Sequence, residues 1–193
     1  MLPPSLPAAG IRLRRPAHAV WNAYFGRYSS LILGLGGSTV EELTYRLLSG
    51  DEQLRRHPRV IILLIGINNC PASQPELRSH MAYLLAWLAD TYTRSSIVLL
   101  APLPSVLPRY RRLDAMWADV AARQAAANAA AGRPGRLIFA RCGALLDPWD
   151  RTFFHDGLHP AAAGYRRIFS CLAPTIERAV QASKADDAAE GIT

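Results

Sequence analysis

Asp156 and His159 are the residues whose types and spacing most directly suggest acid–base chemistry in this sequence. They lie three positions apart in the run DGLHP, so one local turn can bring the Asp156 carboxylate to the His159 imidazole. A carboxylate in that position fixes the tautomer of the histidine, which can then act as a general base. The spacing therefore predicts a base together with the group that orients it. The simpler explanation is a surface histidine that precedes a helix.

Two turns could supply the hydrogen-bond donors that such a base would need beside it. The first is the run GLGGST at positions 34–39, where the backbone N–H of Gly37 leads into a predicted helix and lacks an intrahelical partner. The second is GINN at positions 66–69, where Asn68 offers a side-chain amide. Such donors stabilise the oxyanion that develops when an acyl ester is attacked. Taken singly, the first could be only a strand-to-helix connection and the second an ordinary asparagine turn.

Alternating strand and helix patterns predict an α/β fold that would position these residues. Short apolar runs predict strands at residues 31–33, 60–65, 97–100 and 137–139. Periodicity and helix breakers predict helices at residues 19–25, from 40, from 74, at 113–131 and at 161–182. This order predicts a three-layer α/β/α sandwich with a parallel sheet, whose active site forms where the strands end. All three polar segments fall at such positions.

Capping and apolar patterns refine the predicted helices. Ser38 with Glu41, and Ser73 with Glu76, have the spacing of a capping box. The apolar residues expected on the buried faces behind these caps are Val40, Leu43, Leu47 and Leu48, and then Leu77, Met81, Leu84, Leu85 and Leu88. The run at 60–65 is apolar on both faces, which predicts a central strand of the sheet.

Composition narrows the class of protein. The chain has 193 residues and a net charge of +7, and Lys184 is its only lysine. Its arginines are scattered rather than gathered in one stripe, which argues against nucleic-acid binding. It contains neither the roughly 18 consecutive apolar residues of a transmembrane helix nor a signal-peptide core, so we expect a cytoplasmic protein.

The three cysteines, Cys70, Cys142 and Cys171, lie far apart and lack the spacing of a redox or metal site. We therefore expect buried free thiols. Neither a metal ion nor an organic cofactor is predicted.

Longer runs of the sequence resemble the SGNH (GDSL) hydrolases, most closely their platelet-activating-factor acetylhydrolase-like branch. WNAYFG, LILGLGGSTVEELTYRLLSGDE and PRVIILLIGINN are similar to that branch's second and third blocks, and FHDGLHPAAAGY is similar to its fifth. The resemblance implies a flavodoxin-like parallel sheet. It also implies that Gly37 and Asn68 line an oxyanion hole, and that Asp156 and His159 complete a catalytic triad. Asn69 stands where many family members have aspartate.

The family's nucleophile block is missing here. That nucleophile is the serine of a Gly-Asp-Ser block at the end of the first strand, but residues 8–10 are Ala-Ala-Gly, and the prolines before them do not suit a central strand. We therefore expect the first strand to be absent, with the nucleophile encoded upstream in a longer natural chain. Ser38, after Gly37 at a helix start, is the best substitute nucleophile, although helix capping is sufficient to explain it.

The predicted organisation is an irregular segment at 1–17, one SGNH hydrolase-like domain at 18–183 and a disordered tail at 184–193. The predicted function is a carboxyl-ester hydrolase scaffold for small acyl or acetyl esters of a lipid or carbohydrate. The alternative is a catalytically inactive protein that binds an acyl ligand or a partner protein. Members of the acetylhydrolase-like branch form dimers, so the resemblance also implies a homodimer.

Overall fold

The computed structural model describes residues 15–50, 57–69, 73–106, 109–144 and 146–189. Helices and strands alternate through most of these residues. In chain order they are α1 (Arg15–Phe25), α2 (Val40–Ser49), β1 (Val60–Leu63), α3 (Gln74–Thr91), β2 (Ser96–Leu100), α4 (Arg109–Ala130), β3 (Leu137–Ala140) and α5 (Ala162–Ala189).

The described strands form one parallel sheet in the order β1-β2-β3, with β2 in the middle. All five residues of β2 are buried, as expected for a parallel strand that is covered on both faces. Successive side chains of a strand point to opposite faces, so Ile97 and Leu99 pack into one apolar cluster and Val98 and Leu100 into another. The predicted α/β fold with a parallel sheet is confirmed.

The helices complete the three layers. One face of the sheet packs with α2, α3 and α4, and the other packs with α1 and α5. The predicted apolar stripe of α3 is confirmed, because all five of its residues are buried: Leu77, Met81, Leu84, Leu85 and Leu88. Full burial of each such side chain contributes about 1.5–3 kcal/mol.

The strand predicted at 31–33 is wrong. This segment is irregular, and the side chains of Leu31 and Ile32 are 70% and 37% exposed. A strand needs a neighbouring strand to satisfy its backbone groups, and among the described residues β1 pairs only with β2. For the same reason the central position predicted for residues 60–65 is wrong within the described sheet. There β1 is an edge strand, and Leu64 beyond it is 49% exposed.

Several element boundaries also differ from the prediction. α1 begins at Arg15 and α5 continues to Ala189, so residues 15–17 and 184–189 are helical rather than irregular or disordered. The capping box of α2 consists of Thr39 and Glu42 instead of Ser38 and Glu41, whereas that of α3 is Ser73 with Glu76 as predicted. The domain limits at 18–183 stay a prediction.

The prediction of free thiols is wrong for two of the three cysteines. Cys142, just after β3, and Cys171, in α5, form a disulfide with a Cα–Cα distance of 5.5 Å. That distance lies within the range that a disulfide requires. The third cysteine, Cys70, lies outside the described residues.

Within the described ranges we find no helix that is both long and apolar enough to cross a membrane.

Candidate active site

Each polar segment singled out in the sequence either follows a strand or precedes a helix. Because β1, β2 and β3 are parallel, the segments that follow them leave the sheet at the same edge. The segment after β1 carries Asn68, and the one after β3 carries Asp156 and His159. This shared edge is the candidate active site.

Asp156 and His159 form the pair that their spacing predicts. Nδ1 of His159 lies 2.7 Å from Oδ2 of Asp156, and the backbone N–H groups of Leu158 and His159 donate to Oδ1 at 3.0 and 2.8 Å. These hydrogen bonds, chiefly those from the backbone and side chain of His159, hold the pKa of Asp156 well below its ordinary value. Asp156 is therefore an ionised carboxylate at neutral pH. The His159 side chain is 71% exposed and accessible to a substrate.

The turn that holds this pair is fixed by contacts at both of its ends. Phe154 and Pro160 form an antiparallel bridge, which closes the turn on itself. Gly157 has φ +78°, and its carbonyl accepts a hydrogen bond of 3.2 Å from the N–H of Val106 in the segment after β2. A Cβ on Gly157 would lie 2.6 Å from Cγ1 of Val106, so this position requires glycine. The segment after β2 thus positions the pair.

The two proposed oxyanion donors lie in segments that the fold brings together. Gly37 has φ +82° in a turn closed by the N–H of Ser38, which donates to the carbonyl of Leu35 at 3.2 Å. The side-chain Nδ2 of Asn68 donates to the backbone carbonyl of Ser38 at 3.2 Å. An amide nitrogen carries two hydrogens, so Asn68 retains a second donor for another acceptor.

A buried tryptophan determines the path of the chain after β1. Gly66 has φ +102°, and Nε1 of Trp117 in α4 donates to the carbonyl of Ile65 at 3.1 Å. The N–H of Asn69 then closes a turn onto the carbonyl of Gly66 at 3.2 Å. Trp117 therefore anchors the turn that presents Asn68. We did not identify Trp117 from the sequence, because it lies 52 positions from its acceptor and looks like any apolar residue of a helix.

A second histidine–carboxylate pair supports the neighbouring asparagine and was also missed. Asn69 accepts a hydrogen bond of 2.9 Å from the N–H of Val40 and donates to the carboxylate of Glu41. The other oxygen of Glu41 contacts Nδ1 of His80 in α3. Partial burial raises the pKa of Glu41, but hydrogen bonds from its backbone, Asn69 and His80 outweigh it and lower the pKa overall. This network ties α2, α3 and the turn after β1 together.

Ser38 is not the helix cap that its spacing predicted. Its side chain is buried at 4% exposure, and its Oγ accepts a hydrogen bond of 2.7 Å from Nη1 of Arg46. Thr39 caps α2 in its place, because the Thr39 hydroxyl accepts a hydrogen bond from the backbone N–H of Glu42. The hydroxyl of Ser38 is thus held by a cation, and its described contacts provide no base to accept its proton.

The profile of the GDSL-like lipase/acylhydrolase family matches residues 8–167, which include Gly37, Ser38, Asn68, Asp156 and His159. The chain belongs to the GDSL-like lipase/acylhydrolase family. No curated protein matches the sequence.

Solved structures share the fold of this GDSL-like protein. A GDSL-like lipase from Bacteroides thetaiotaomicron is 18% identical with a TM-score of 0.57, covering 86% of this chain and 83% of its own. An acetyl-xylooligosaccharide esterase variant from a Geobacillus is 18% identical with a TM-score of 0.57, covering 85% and 78%. A Streptococcus pneumoniae protein named after platelet activating factor is 20% identical with a TM-score of 0.58, covering 81% and 77%. At such low identities, these similarities establish the fold alone.

Hydrogen bonds divide the candidate residues of this GDSL-like protein into two groups. One group contains Asp156 and His159, and the other contains Asn68 with the carbonyl of Ser38 beside Gly37. Among the described residues, these hydrogen bonds lie within each group, and no hydrogen bond joins a residue of one group to a residue of the other. In the same residues, no cluster of three or more His, Cys, Asp or Glu side chains could hold a metal ion.

Proposed function

We propose that this GDSL-like protein is a carboxyl-ester hydrolase scaffold for small acyl esters, with His159 as general base and Asp156 as its orienting partner. Gly37 and Asn68 would donate hydrogen bonds to the oxyanion. The observation that carries the proposal is the 2.7 Å contact between Nδ1 of His159 and the ionised Asp156 carboxylate. With Nδ1 facing that carboxylate, Nε2 is the nitrogen left to accept a proton from an attacking hydroxyl group.

Ester hydrolysis would use His159 and the two oxyanion donors in successive steps. The attacking oxygen bonds to the ester carbonyl carbon as its proton passes to Nε2 of His159. Negative charge then develops on the carbonyl oxygen, where the backbone N–H of Gly37 and the second N–H of Asn68 would stabilise it. The alcohol departs with the proton from His159 and leaves the acyl group on the attacking oxygen. When that oxygen belongs to a side chain, His159 next takes a proton from a water molecule that attacks the acyl carbon, so that the acid is released and the side-chain oxygen recovers its proton.

The proposed reaction also requires a nucleophile. Ser38 is the substitute nucleophile proposed from the sequence, but its hydroxyl is buried and bonded to Arg46. The same observation favours the second candidate function, a catalytically inactive protein that keeps the pocket and binds an acyl ligand. In that case His159 could still activate a water molecule, which would give only a small residual acceleration.

Labelling with a fluorophosphonate serine probe, mapped by mass spectrometry, distinguishes the two functions. Label on one serine of the purified chain that is lost in His159→Ala would support the hydrolase. Hydrolysis of 4-nitrophenyl acetate should fall in parallel. The matched control is His155→Ala, because His155 is exposed in the same turn and its two described hydrogen bonds use only its backbone N–H and its backbone carbonyl. Equal labelling and equal rates in both variants would exclude His159 as the base.

Absence of label on a folded chain would favour the acyl-ligand-binding alternative. The substrate class is proposed as acetyl esters of carbohydrates or lipids, supported by the fold shared with an acetyl-xylooligosaccharide esterase. Release of acetate from acetylated xylooligosaccharides and from acetylated lipids would distinguish these substrates. A homodimer is also proposed, and light scattering after size exclusion tests it.

The cytoplasmic location predicted from the sequence is a separate proposal, and the Cys142–Cys171 disulfide argues against it. Disulfides persist mainly in oxidising compartments. Fractionation of the native cells would decide between the cytoplasm and an oxidising compartment.

A further inference from the structure

We propose that Trp149 is a stacking platform for the sugar ring of a carbohydrate ester, next to the Asp156–His159 turn. Trp149 lies in the segment between β3 and α5. The inference rests on the proposed function for the position of the reacting ester. It names a carbohydrate, rather than a lipid, as the alcohol part of the substrate.

Trp149 is 73% exposed, which is the largest exposed fraction among the large hydrophobic residues that the structure describes. The other three tryptophans of the chain pack within the protein. Trp117 is fully buried, and Trp21 and Trp87 contact other aromatic rings. Within the described ranges, the indole of Trp149 has no ring contact and its Nε1–H has no hydrogen-bond partner. It therefore offers both an apolar face and a donor to a ligand.

Two aspartates fix the backbone that carries this indole. Oδ1 of Asp147 accepts a hydrogen bond of 2.9 Å from the N–H of Trp149, and its backbone carbonyl accepts one of 3.1 Å from the N–H of Asp150. Oδ1 of Asp150 in turn accepts a hydrogen bond of 2.8 Å from the N–H of Thr152. A ligand that stacks on a preformed turn loses less affinity to the ordering of the protein. The indole is therefore presented on a backbone suited to binding.

The turn that carries the indole adjoins the Asp156–His159 turn. The carbonyl oxygen of Pro148, the residue before the tryptophan, lies 3.4 Å from the position that a Cβ on Gly157 would occupy. Nη1 of Arg151 donates a hydrogen bond of 2.5 Å to the carbonyl of His155. These contacts hold the two turns side by side. A sugar ring on the indole would thus lie beside the proposed base.

The surroundings of the indole suit a sugar ring better than an acyl chain. The described hydrogen bonds to the carboxylates of Asp147 and Asp150 use only Oδ1, so the second oxygen of each can accept a further bond. The hydroxyl groups of a sugar can donate to those oxygens, while its C–H face packs on the electron-rich face of the indole. An acyl chain would instead desolvate the two carboxylates without replacing their hydrogen bonds to water.

NMR titration of the isotope-labelled full chain tests the platform with unacetylated xylotetraose, cellotetraose and mannotetraose. At least one of these sugars should shift the indole N–H signal of Trp149 and the backbone signals of residues 147–152 in a saturable manner. Trp149→Ala should weaken that binding at least about tenfold, because the apolar face is lost. Trp149→Phe keeps a flat ring and should bind within about threefold of the wild type. Tyr83→Ala is the matched control, since Tyr83 is an exposed aromatic residue of α3, and it should bind like the wild type.

Sodium octanoate, an acyl chain without a sugar ring, should bind the same turn at least about tenfold more weakly than the best sugar. Any one of three results overturns the proposal: no saturable shift with any of the three sugars, equal affinity of Trp149→Ala and the wild type, or tighter binding of octanoate at this turn. The fluorophosphonate labelling is a separate readout. Sugar binding through Trp149 without label would remove the hydrolase and keep the platform, whereas label without sugar binding would do the reverse.

Discussion

Gly66 and Trp117 fit together so closely that a Cβ at position 66 would lie 2.3 Å from Cζ2 of the indole ring. Gly66 also has φ +102°, which side chains rarely adopt. The contact fixes the turn that carries Asn68, so the candidate oxyanion donor depends on a residue of α4. A side chain at position 66 would have to displace either the buried indole or the backbone.

Gly66→Ala should therefore lower the free energy of unfolding by about 2–4 kcal/mol, because backbone strain and overpacking act together. Urea denaturation measures this change. Gly36→Ala is the matched control, since a Cβ there meets nothing within 4 Å. The control should change stability by no more than about 0.5 kcal/mol. Equal losses in the two variants would show that the contact with Trp117 is not a constraint.

The contribution of Asp156 to stability should depend on pH in a defined direction. Its folded pKa is lowered, so its contribution is fully present above the unfolded pKa of about 3.9 and is lost as the pH falls through the folded pKa. The difference in unfolding free energy between the wild type and Asp156→Asn should thus be constant near neutral pH and narrow in acid. Denaturation at a series of pH values measures it. A difference that does not change down to pH values below the unfolded pKa would contradict this assignment.

Glu41 should be energetically coupled to Asn69. Removing the carboxylate in Glu41→Ala leaves the Asn69 amide without its acceptor and should cost about 1–2 kcal/mol of stability. A double-mutant cycle with Asn69→Ala should give a coupling energy above about 0.5 kcal/mol. The control cycle combines Glu41→Ala with Asp186→Ala, which lies in α5 on the other face of the sheet. If both cycles are additive, the network does not hold the turn.

The disulfide predicts a specific thiol count. The unfolded, unreduced chain should present one free thiol, from Cys70, and three after reduction. Cys70→Ala should then present none before reduction. Replacing both Cys142 and Cys171 by alanine should lower the free energy of unfolding by about 3 kcal/mol, because the bond closes a loop of moderate length. Three thiols without any reductant would refute the bond.

The sequence alone was sufficient for several features whose deciding interactions are local. The turn that joins Asp156 to His159 spans three positions, and the α3 cap joins Ser73 to Glu76 over the same distance. Apolar periodicity likewise predicted the buried stripe of α3, and a short apolar run predicted the strand β2. Such patterns depend on residues a few positions apart, so the sequence displays them directly. The family resemblance was also carried by contiguous runs of residues.

Tertiary structure decided what depends on distant partners. The contacts of Trp117 with Ile65, of His80 with Glu41 and of Cys142 with Cys171 join residues 52, 39 and 29 positions apart. No local pattern marks such pairs, because chain folding alone brings them together. The apolar run at 31–33 shows the converse, since its composition suits a strand but no described strand pairs with it. Strand identity requires a hydrogen-bonding neighbour, and that neighbour is a property of the fold rather than of the segment.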